Sequence, residues 1–515
     1  MTLSISRRRL IQTVAASSVA AGSAAVPGVA SAAEPGFDRS FDVLVVGGGF
    51  SGLAAAVSAA REGAKVCLIE QRAYCGGDGV LSEGIFFAYG TSIQKRDNIK
   101  NVTKERFWAD QCSGIMDDDV MFNVRDNSPE SPNYFTYNRH DPGVMKRIAD
   151  NTPKGIRLLQ DFGAEFLPID PAKPFLHTVV RNGCSRVAQG ILNDLKKRGC
   201  PVIKYLRATD LVLGKEGEVT GVEAVYVGGA NKGKQVRIGA KNTILATGGF
   251  LDNEEMMKRY KLFWSGIPAG WSSVGEGLPK DHNGDGITMG RRIGASLESM
   301  ESMPKFFAGG DKGVHIPSWL IFYYDTAYFL NPEGKRVENE YVAWYAGSVL
   351  SLVKRKQKYG FVLFDESVFS GPRHDYWHFD DCMKTGGLFR ANSPEELAAK
   401  VGLDPKAVRE TIEKINRDAE AHKDTEYGRT DHLFKPLKAP YYISAKGYPV
   451  RYKTEGGLEV NRKFQVLRST DLKPFKGLYA VGAGCGSMTT RNNDVTTAGI
   501  LAGTDAAREA LGKSI

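Results

Sequence analysis

Apolar residues near the start of the sequence come in short runs whose period changes where glycines interrupt them. Phe41 to Val46 reads FDVLVV, a Val-rich run of the kind that forms a buried parallel strand. A helical pattern follows from Leu53 to Glu62, and a second apolar run, Lys65 to Ile69, ends at Glu70. The pattern predicts a strand–helix–strand unit whose two strands are parallel.

The turn between the first strand and the helix carries three spaced glycines. Gly47, Gly49 and Gly52 form the pattern G-x-G-x-x-G, which lets backbone N–H groups approach a pyrophosphate at the helix N-terminus. Glu70, at the end of the second strand, is placed to accept a hydrogen bond from a ribose hydroxyl. Glycines alone would be a weak signal, but strand, turn, helix, strand and acid in this order predict a dinucleotide site.

A different pattern, with a helical period, occupies a stretch in the later half of the chain. Two helices are predicted between Ser393 and His422. Ser393 followed by Glu396 is a capping box, and Asp404 followed by proline marks the start of the second helix.

Composition and charge narrow the classes of partner. The 515 residues carry a net charge of +9, and the densest basic run is VKRKQK at Val353 to Lys358, typical of a solvated helix face. We therefore expect no nucleic-acid partner, and we expect anionic small molecules to be favoured. His374 and His378 have the spacing of a helical metal pair, but no third ligand is near in sequence, so we expect no metal site.

The seven cysteines are scattered along the chain and form no C-x-x-C pair. This spacing gives neither a zinc ribbon nor a haem attachment site. If the protein exchanges electrons, we expect any haem or iron–sulfur group to lie on a separate donor protein.

The N-terminal segment, 1–32, has the pattern of an export signal. Arg7, Arg8 and Arg9 form a basic cluster, an Ala-rich segment follows, and Ala30-Ser31-Ala32 is a small-residue cleavage site. The order Ser-Arg-Arg-Arg-Leu-Ile is similar to a twin-arginine signal, with an ordinary Sec signal or an anchor as the alternative. No later apolar run reaches the roughly 18 residues of a membrane helix. We expect a periplasmic or extracytoplasmic protein, exported folded, with no membrane span in the mature chain.

Six further motifs follow the dinucleotide turn and extend to the end of the chain. They are RAYCGGDGVLSEG (Arg72 to Gly84), TILATGGF (Thr243 to Phe250), NGDGITMG (Asn283 to Gly290), GKRVENE (Gly334 to Glu340), TEGGLEVN (Thr454 to Asn461) and GLYAVGAGCG (Gly477 to Gly486). In this order they resemble the FAD-dependent oxidoreductase 2 family, which includes fumarate reductase and succinate dehydrogenase flavoproteins, urocanate reductase and 3-ketosteroid dehydrogenase. The resemblance implies FAD, bound non-covalently because the histidine of the covalent members is not evident.

The resemblance also implies the architecture. The expected fold class is α/β, with a Rossmann-like FAD-binding domain of the glutathione-reductase type that is split by an α+β capping domain. After a signal peptide at 1–32, we expect the FAD-binding domain at 40–264 and 436–515 and the capping domain at 265–435. Caps of this kind close over substrate and exclude water from the flavin face.

Matching positions suggest which residues line the FAD. They are Gly47, Gly49, Ser51, Gly52, Glu70, Gly77, Asp78, Ser82, Gly84, Ala208, Asp285, Gly482 and Thr497. Ala208 is expected near the adenine. The last helix is expected to begin near Thr496 or Thr497, so that its N-terminal dipole favours the negative charge of reduced flavin. Asp78 departs from the family, whose members often have Asn there.

The resemblance implies an FAD under a lid, and the chain has no second G-x-G-x-x-G for NAD. The reaction that this implies is hydride exchange between flavin N5 and a substrate carbon. In fumarate reductases the proton donor is an Arg five residues after the Asn of the NE motif, and here that position is Trp344. The family's HPT motif is also absent, since ESMPKFF occupies the region of Glu301 to Phe307. We therefore expect a substrate other than fumarate.

Tyrosines replace the missing acid in the ketosteroid-dehydrogenase branch. Tyr341 and Tyr345 flank Trp344, and Tyr448-Pro449 precedes the Thr-Glu-Gly-Gly motif at the spacing of that branch. A pair of phenols near a flavin could polarise a ketone or pass a proton. For Tyr341 and Tyr345 aromatic packing beneath the cap is an equal alternative.

Cations complete the set of predicted catalytic residues. Arg491 precedes the last helix, where fumarate-type enzymes hold an Arg that binds a substrate carboxylate, with a salt bridge to Asp494 or a pyrophosphate contact as the alternative. Lys453 stands where the family places a catalytic His. Together with Arg451 these side chains are expected to make the pocket mouth cationic.

The leading hypothesis is an exported FAD-dependent reductase of an α,β-unsaturated carbonyl or carboxylate compound (an enone or enoate). The substrate would serve as the electron acceptor of anaerobic respiration. The electrons would come from a separate cytochrome or a membrane quinol-linked protein. A ketosteroid-type dehydrogenase and a non-catalytic electron-transfer flavoprotein subunit are the alternatives.

Overall fold

The computed structural model describes most of the chain after the N-terminal segment. The described residues are 36–82, 84–100, 102–107, 140–171, 174–180, 182–261, 281–301, 305–310, 314–317, 326–340, 351–353, 355–375 and 377–514. Tyr341, Trp344 and Tyr345 lie outside them, as does the predicted signal peptide.

Short strands alternate with helices through the first half of the chain and predominate after it. In chain order the strands are β1 (Arg39–Val46), β2 (Val66–Glu70), β3 (Ile85–Phe87), β4 (Leu176–Thr178), β5 (Val202–Lys204), β6 (Leu206–Leu213), β7 (Val219–Tyr226), β8 (Gln235–Leu245), β9 (Leu297–Glu298), β10 (Lys305–Gly309), β11 (Tyr328–Leu330), β12 (Phe361–Asp365), β13 (Leu388–Ala391), β14 (Tyr441–Ser444), β15 (Tyr448–Lys453), β16 (Gly457–Leu458), β17 (Gln465–Leu467) and β18 (Pro474–Ala480).

The helices range from a single turn to five turns. They are α1 (Phe50–Arg61), α2 (Ser92–Arg96), α3 (Pro142–Ala149), α4 (Thr152–Asp161), α5 (Gly183–Lys197), α6 (Glu254–Tyr260), α7 (Asp285–Arg292), α8 (Glu366–Phe369), α9 (Phe379–Lys384), α10 (Pro394–Val401), α11 (Pro405–Glu420) and α12 (Asn492–Ala510), with 3₁₀ turns at Gly77–Val80 and Gly482–Gly484. Among these described helices, none combines the length and apolarity needed to cross a bilayer.

The largest sheet has the strand order β17-β18-β8-β1-β2-β5, and β7 and β6 extend it from β8. From β18 to β5 neighbouring strands are parallel. Every residue of β2 is buried, as are Val43 to Val46 of β1, because a parallel sheet is covered on both faces. The predicted strand–helix–strand unit is confirmed, with α1 between β1 and β2.

The last helix, α12, packs against α1 with almost no side chain between the two backbones. A Cβ added at Gly499 would lie 2.2 Å from the Ser51 carbonyl oxygen, and one at Gly503 would lie 2.2 Å from the Ala55 carbonyl oxygen. Side chains of any size are therefore excluded at both positions. This contact places the last helix beside the dinucleotide turn.

The expected start of α12 at Thr496 or Thr497 is wrong, since the helix begins at Asn492 with Arg491 as its N-cap residue. The polar run Asn492 to Asp494 looks like a loop in sequence. Its side chains find partners elsewhere in the fold, however, and Asn493 Nδ2 donates to the Phe87 carbonyl oxygen at 2.6 Å. Long-range hydrogen bonds thus hold residues with poor helix propensity in the first turn.

The second unit contains an antiparallel sheet of order β11-β12-β14-β13, beside which α10 and α11 pack. The two helices predicted from caps are confirmed, since the Ser393 hydroxyl accepts from the Glu396 N–H and Asp404 accepts from the Lys406 N–H. β14 belongs to this sheet, so the unit continues through Ser444, beyond the expected boundary at 435. A strand pairing that joins distant segments has no local sequence signal.

Gly503→Ala tests the contact between α1 and α12. Gly-to-Ala in a helix interior ordinarily stabilises by about 0.5–1 kcal/mol. Here we expect the free energy of unfolding to fall by about 1–3 kcal/mol, because the new methyl group overpacks the contact. Urea denaturation measures the change, with Thr504→Ala, at the neighbouring partly exposed position, as the control. A stabilised Gly503→Ala would contradict the close approach.

Candidate functional site

A cleft opens at the carboxyl ends of β1, β2 and β8, the edge at which open α/β sheets bind ligands. Val46, Ile69 and Ala246, which lie at or just beyond the ends of these strands, line it. All but three of the predicted FAD residues also line it: Gly47, Gly49, Ser51, Glu70, Gly77, Asp78, Ser82, Ala208, Asp285 and Gly482. One cleft therefore unites segments from both ends of the chain.

The other three predicted FAD residues support the cleft without lining it. A Cβ added at Gly52 would lie 1.9 Å from the Gly47 carbonyl oxygen, so this glycine allows α1 to pack against the turn. Gly84 has a φ of +69°. Thr497 is fully buried inside α12, where it faces Gly155. These positions shape the backbone around the site.

The dinucleotide turn has the form that a pyrophosphate requires. Gly47 has a φ of +107°, in the left-handed region that favours glycine. Gly49 is the N-cap residue of α1, and a Cβ added there would meet no protein atom within 4 Å, because it would point into the cleft. A bare helix N-terminus that faces a cleft is a site for an anion.

Glu70 is buried at the end of β2 and binds the turn itself. Its Oε2 accepts from the Gly48 N–H at 2.7 Å, and its Oε1 accepts from the Arg72 N–H at 2.7 Å. Burial raises the pKa of this carboxyl, and the two backbone bonds oppose the rise. The predicted ribose contact would therefore add to bonds that already fix the acid.

Two other glycine segments close around the same turn. A Cβ added at Gly77 would lie 3.0 Å from the Gly49 Cα, and one at Gly482, whose φ is +79°, would lie 2.6 Å from the Ser51 Oγ. The backbone itself therefore forms much of the wall. These cradles of bare N–H groups fit the pyrophosphate of a dinucleotide.

Ion pairs line the part of the cleft beyond Glu70. Arg72 binds Asp281 through two nitrogens, and Arg207 binds Asp285 with Nε–Oδ2 and Nη2–Oδ1 distances of 2.8 and 2.7 Å. Asp285 was predicted, and Arg207, which precedes Ala208, was missed. An arginine beside a family-matched position carries no signal until its partner on α7 is known.

Two cations lie at the opposite part of the cleft, where α12 begins. Lys453 Nζ donates to the Thr490 carbonyl oxygen at 2.7 Å, and the Arg491 guanidinium lies 5.7 Å from the centre of the Phe87 ring. Both side chains line the cleft. The pairing of β15 with β10 is irregular between Arg451 and Lys453, a type of distortion that re-aims side chains near ligand sites.

Buried acid–base groups lie behind these cations. Asp494 is 2% exposed, and burial raises the pKa of its carboxyl while the Arg491 charge opposes the rise. Glu455, also 2% exposed, accepts from the Thr490 hydroxyl at 3.1 Å, and His140 Nε2 lies 3.7 Å from its carboxylate. The cationic part of the cleft is therefore backed by groups that can hold protons.

Tyr448, predicted to be catalytic, does not line the cleft. It packs edge-on against Tyr359 with ring centroids 6.0 Å apart. Five positions of extended chain separate it from Lys453, a span of about 17 Å. Arg451 is likewise not at the mouth, since it is 1% exposed and pairs with Glu254 at 2.6 Å. Tyr341 and Tyr345 lie outside the described residues, so their predicted roles stay predictions.

His282 lines the cleft and was missed by the sequence analysis. Its Nε2 lies 2.9 Å from both oxygens of Asp78, and its Nδ1 lies 2.9 Å from Asp252 Oδ2. Asp252, Asp281 and His282 offer ligand atoms within 4.8 Å of one another. Each already binds a group of opposite charge, so the protein balances these charges by itself.

Residues 42–496 match a family model described as FAD binding domain. The chain belongs to this family. The match covers most of the chain, and the glycine cradles of the cleft fit the cofactor. The family and the FAD cofactor expected from the resemblance are therefore confirmed.

Relatives with known activities extend the comparison. An NADH:fumarate oxidoreductase of Klebsiella pneumoniae is 27% identical over 490 residues, which are 92% of this chain but 48% of that protein. The chain thus spans about half the length of that relative. A vinyl phenol reductase of Lactiplantibacillus plantarum is 27% identical over 491 residues, covering 87% of this chain and 91% of that protein. The predicted enzyme class, an FAD-dependent oxidoreductase acting on CH–CH or C=C groups, is confirmed.

Among solved structures, a flavocytochrome c3 fumarate reductase in an open conformation matches with a TM-score of 0.68 at 21% identity. The match covers 99% of this chain and 82% of that chain. The predicted α/β flavoprotein fold is confirmed.

Two glycine variants separate cofactor contact from backbone packing. We expect Gly49→Ala to fold like the parent and to bind FAD about tenfold more weakly, a loss of about 1.4 kcal/mol, because its methyl group enters the cleft. We expect Gly52→Ala to lower the stability of the apoprotein itself, because its Cβ meets the Gly47 carbonyl. Titration of flavin fluorescence gives the first quantity, and thermal melting of apoprotein gives the second. Equal melting losses in both variants would refute the assignment of Gly49.

Proposed function

We propose that this chain is an FAD-dependent reductase that adds a hydride and a proton across the C=C bond of an α,β-unsaturated carbonyl or carboxylate compound other than fumarate. Bound reduced flavin supplies the hydride. The protein contributes the binding, orientation and protonation of the substrate.

The observation that carries the proposal is the convergence of Lys453 and Arg491 at the N-terminus of α12. Two cations and a helix N-terminus on one wall favour a substrate with a carbonyl or carboxylate oxygen. Such contacts withdraw electron density from the double bond, which makes the distal carbon accept a hydride more readily.

We assign the two cations different roles. The planar guanidinium of Arg491 suits bidentate binding of a carboxylate or polarisation of a carbonyl. The Lys453 ammonium holds transferable protons at Nζ and stands where the family places a catalytic His. It is the proton donor of our scheme, with Glu455 and His140 as the acid–base groups behind it.

The exclusion of fumarate rests on residues that the chain lacks. Trp344 occupies the position of the Arg that donates the proton in fumarate reductases, and no HPT motif occurs near Glu301. The similarity to a vinyl phenol reductase supports an aromatic substrate with a conjugated double bond. Aromatic side chains are frequent around 306–345 in the sequence, which also favours a substrate larger than fumarate.

The two alternative functions have less support. The dehydrogenase alternative depended partly on a pair of phenols near the flavin, and Tyr448 packs against Tyr359 outside the cleft. An electron-transfer subunit would need no cations for substrate at α12. A single experiment gives a different result for each of the three functions.

The experiment is anaerobic reoxidation of the dithionite-reduced protein, followed by flavin absorbance. The panel contains fumarate, acrylate, a hydroxycinnamate, a vinyl phenol and a steroid enone. We expect an aromatic enoate or enone to reoxidise the flavin and fumarate to be slow. Reduction of the oxidised flavin by a saturated ketosteroid would favour the dehydrogenase, and inertness toward every compound would favour the electron-transfer subunit.

We also propose that the chain is exported folded and receives electrons from a separate cytochrome or quinol-linked protein during anaerobic respiration. The Ser-Arg-Arg-Arg-Leu-Ile sequence supports the export route. Replacing both Arg7 and Arg8 with lysine should retain the protein in the cytoplasm at its full mass. Immunoblots of cell fractions measure this, and unchanged export would refute the twin-arginine route.

Substitutions of the two cations test the assigned roles. We expect Lys453→Met to lower kcat about 10²-fold or more, as for loss of a general acid. We expect Arg491→Gln mainly to raise KM, by about 10- to 100-fold, since a charge-assisted hydrogen bond contributes about 1.5–3 kcal/mol. Lys446→Met, on the segment before β15 and outside the cleft lining, is the matched control. A Lys453→Met enzyme with normal kcat would remove this residue as the proton donor.

A further inference from the structure

His282 joins three segments that are far apart in sequence. It precedes α7, and its ring bridges Asp78, in the second glycine loop, and Asp252, in the turn after β8. The three side chains are 13%, 37% and 9% exposed in the order His282, Asp78, Asp252. The backbone N–H of His282 also donates to Asp252, at 3.1 Å. The imidazole is thus held at both nitrogens.

The geometry demands the protonated form of the ring. Both ring nitrogens lie 2.9 Å from carboxylate oxygens, which can only accept. A neutral imidazole has one N–H, so one of its two contacts would set a lone pair against a carboxylate. The imidazolium has two N–H donors and satisfies both contacts.

The charges around the ring come from both sides of the cleft. Asp78 and Asp252 bind it directly, and Asp281 Oδ1 lies 3.9 Å from its Nδ1. Arg72 pairs with Asp281 and lies 3.9 Å from Asp78. Lys453 also acts on the Asp78 carboxylate through its charge. Three carboxylates, Asp78, Asp252 and Asp281, therefore face the three cations Arg72, Lys453 and protonated His282. With a neutral His282 this group would carry a net negative charge beside the glycine cradle.

Asp78 lies next to the place where the cofactor's pyrophosphate belongs. It follows Gly77, whose added Cβ would lie 3.0 Å from the Cα of Gly49, the N-cap residue of α1. A pyrophosphate at that N-terminus brings two negative charges toward the Asp78 carboxylate. An uncompensated acid there would oppose FAD binding through simple repulsion.

We propose that His282 is a cationic clamp for FAD, which neutralises Asp78 beside the pyrophosphate and ties together the three segments that surround it. The clamp is a positioning device, and it acts whatever the substrate. It also explains how the cleft accommodates the negative charge of Asp78 beside a pyrophosphate.

The titration of the ring agrees with this role. Burial lowers the pKa of His282, but the Asp78 charge and the hydrogen bonds to Asp252 and Asp78 raise it to about 10. Because this value lies above the ordinary pKa of about 6.5, the stabilisation is complete below that pH. It is lost as the pH rises through 10. FAD affinity should therefore weaken between about pH 8 and pH 10.5 in the parent protein.

The first test measures FAD affinity by fluorescence titration of apoprotein at pH 7. We expect His282→Gln to raise the Kd about tenfold or more, because it removes the charge while leaving one amide donor. His432→Gln changes an exposed His that lies 3.7 Å from Asp170, and it should bind FAD like the parent. A normal Kd for His282→Gln would overturn the proposal.

The second test asks whether the effect runs through Asp78. Asp78→Asn removes the carboxylate charge and keeps the size of the side chain, and it should change the Kd less than threefold. In the Asp78→Asn background, His282→Gln should cost much less affinity than it does in the parent. Equal losses in both backgrounds would overturn the charge-neutralising role, and circular dichroism of each apoprotein identifies variants that fail to fold. If His282→Gln does not fold, the pH dependence of the parent's Kd decides: a flat profile to pH 10.5 would refute the clamp.

Discussion

The close approach of backbone to backbone at glycines is the constraint on which this structure depends. Gly52 lets α1 pack against the turn after β1, and Gly499 and Gly503 let α12 pack against α1. Each contact leaves no room for a Cβ. As a result the turn at the start of the fold and the helix at the end of it share one cleft. The cofactor site is thus a consequence of packing between the first and the last helix of the described chain.

The same packing determines the electrostatics of the cleft. Bare backbone N–H groups at the N-termini of α1 and α12 provide partial positive charge without side chains. Charged side chains then enter in pairs that cross between segments, as in Arg72 with Asp281 and Arg207 with Asp285. Paired charges keep the walls from repelling one another. Lys453 and Arg491 lie in front of the buried acids Asp494 and Glu455, and burial raises the pKa of Asp494 while the Arg491 charge opposes the rise.

Local sequence predicted those parts of the fold that local physics determines. The apolar run of β1, the glycine turn and the acid at Glu70 follow one another within a single strand–helix–strand unit, and the caps at Ser393 and Asp404 act within one helical turn. The strands, the turn and the two capped helices were confirmed, and the ribose contact of Glu70 stays a prediction. The start of α12 and the place of β14 were missed, because they depend on Asn493 bonding to Phe87 and on the pairing of β14 with the distant strand β12. Such tertiary contacts override the local propensity of the sequence.

The predicted catalytic residues show the same contrast between local sequence and long-range contacts. Tyr448 and Lys453 were both predicted to be catalytic from their places before the Thr-Glu-Gly-Gly motif, but five positions of a strand place them about 17 Å from each other. Only the end of β15 that approaches α12 reaches the cleft. Conversely, His282 and Asp78 are 204 residues apart and lie in contact. A motif read along the chain selects neighbours in sequence, whereas chemistry requires neighbours in space. The charge of Asp78 is therefore understandable only together with His282, which no local pattern connects to it.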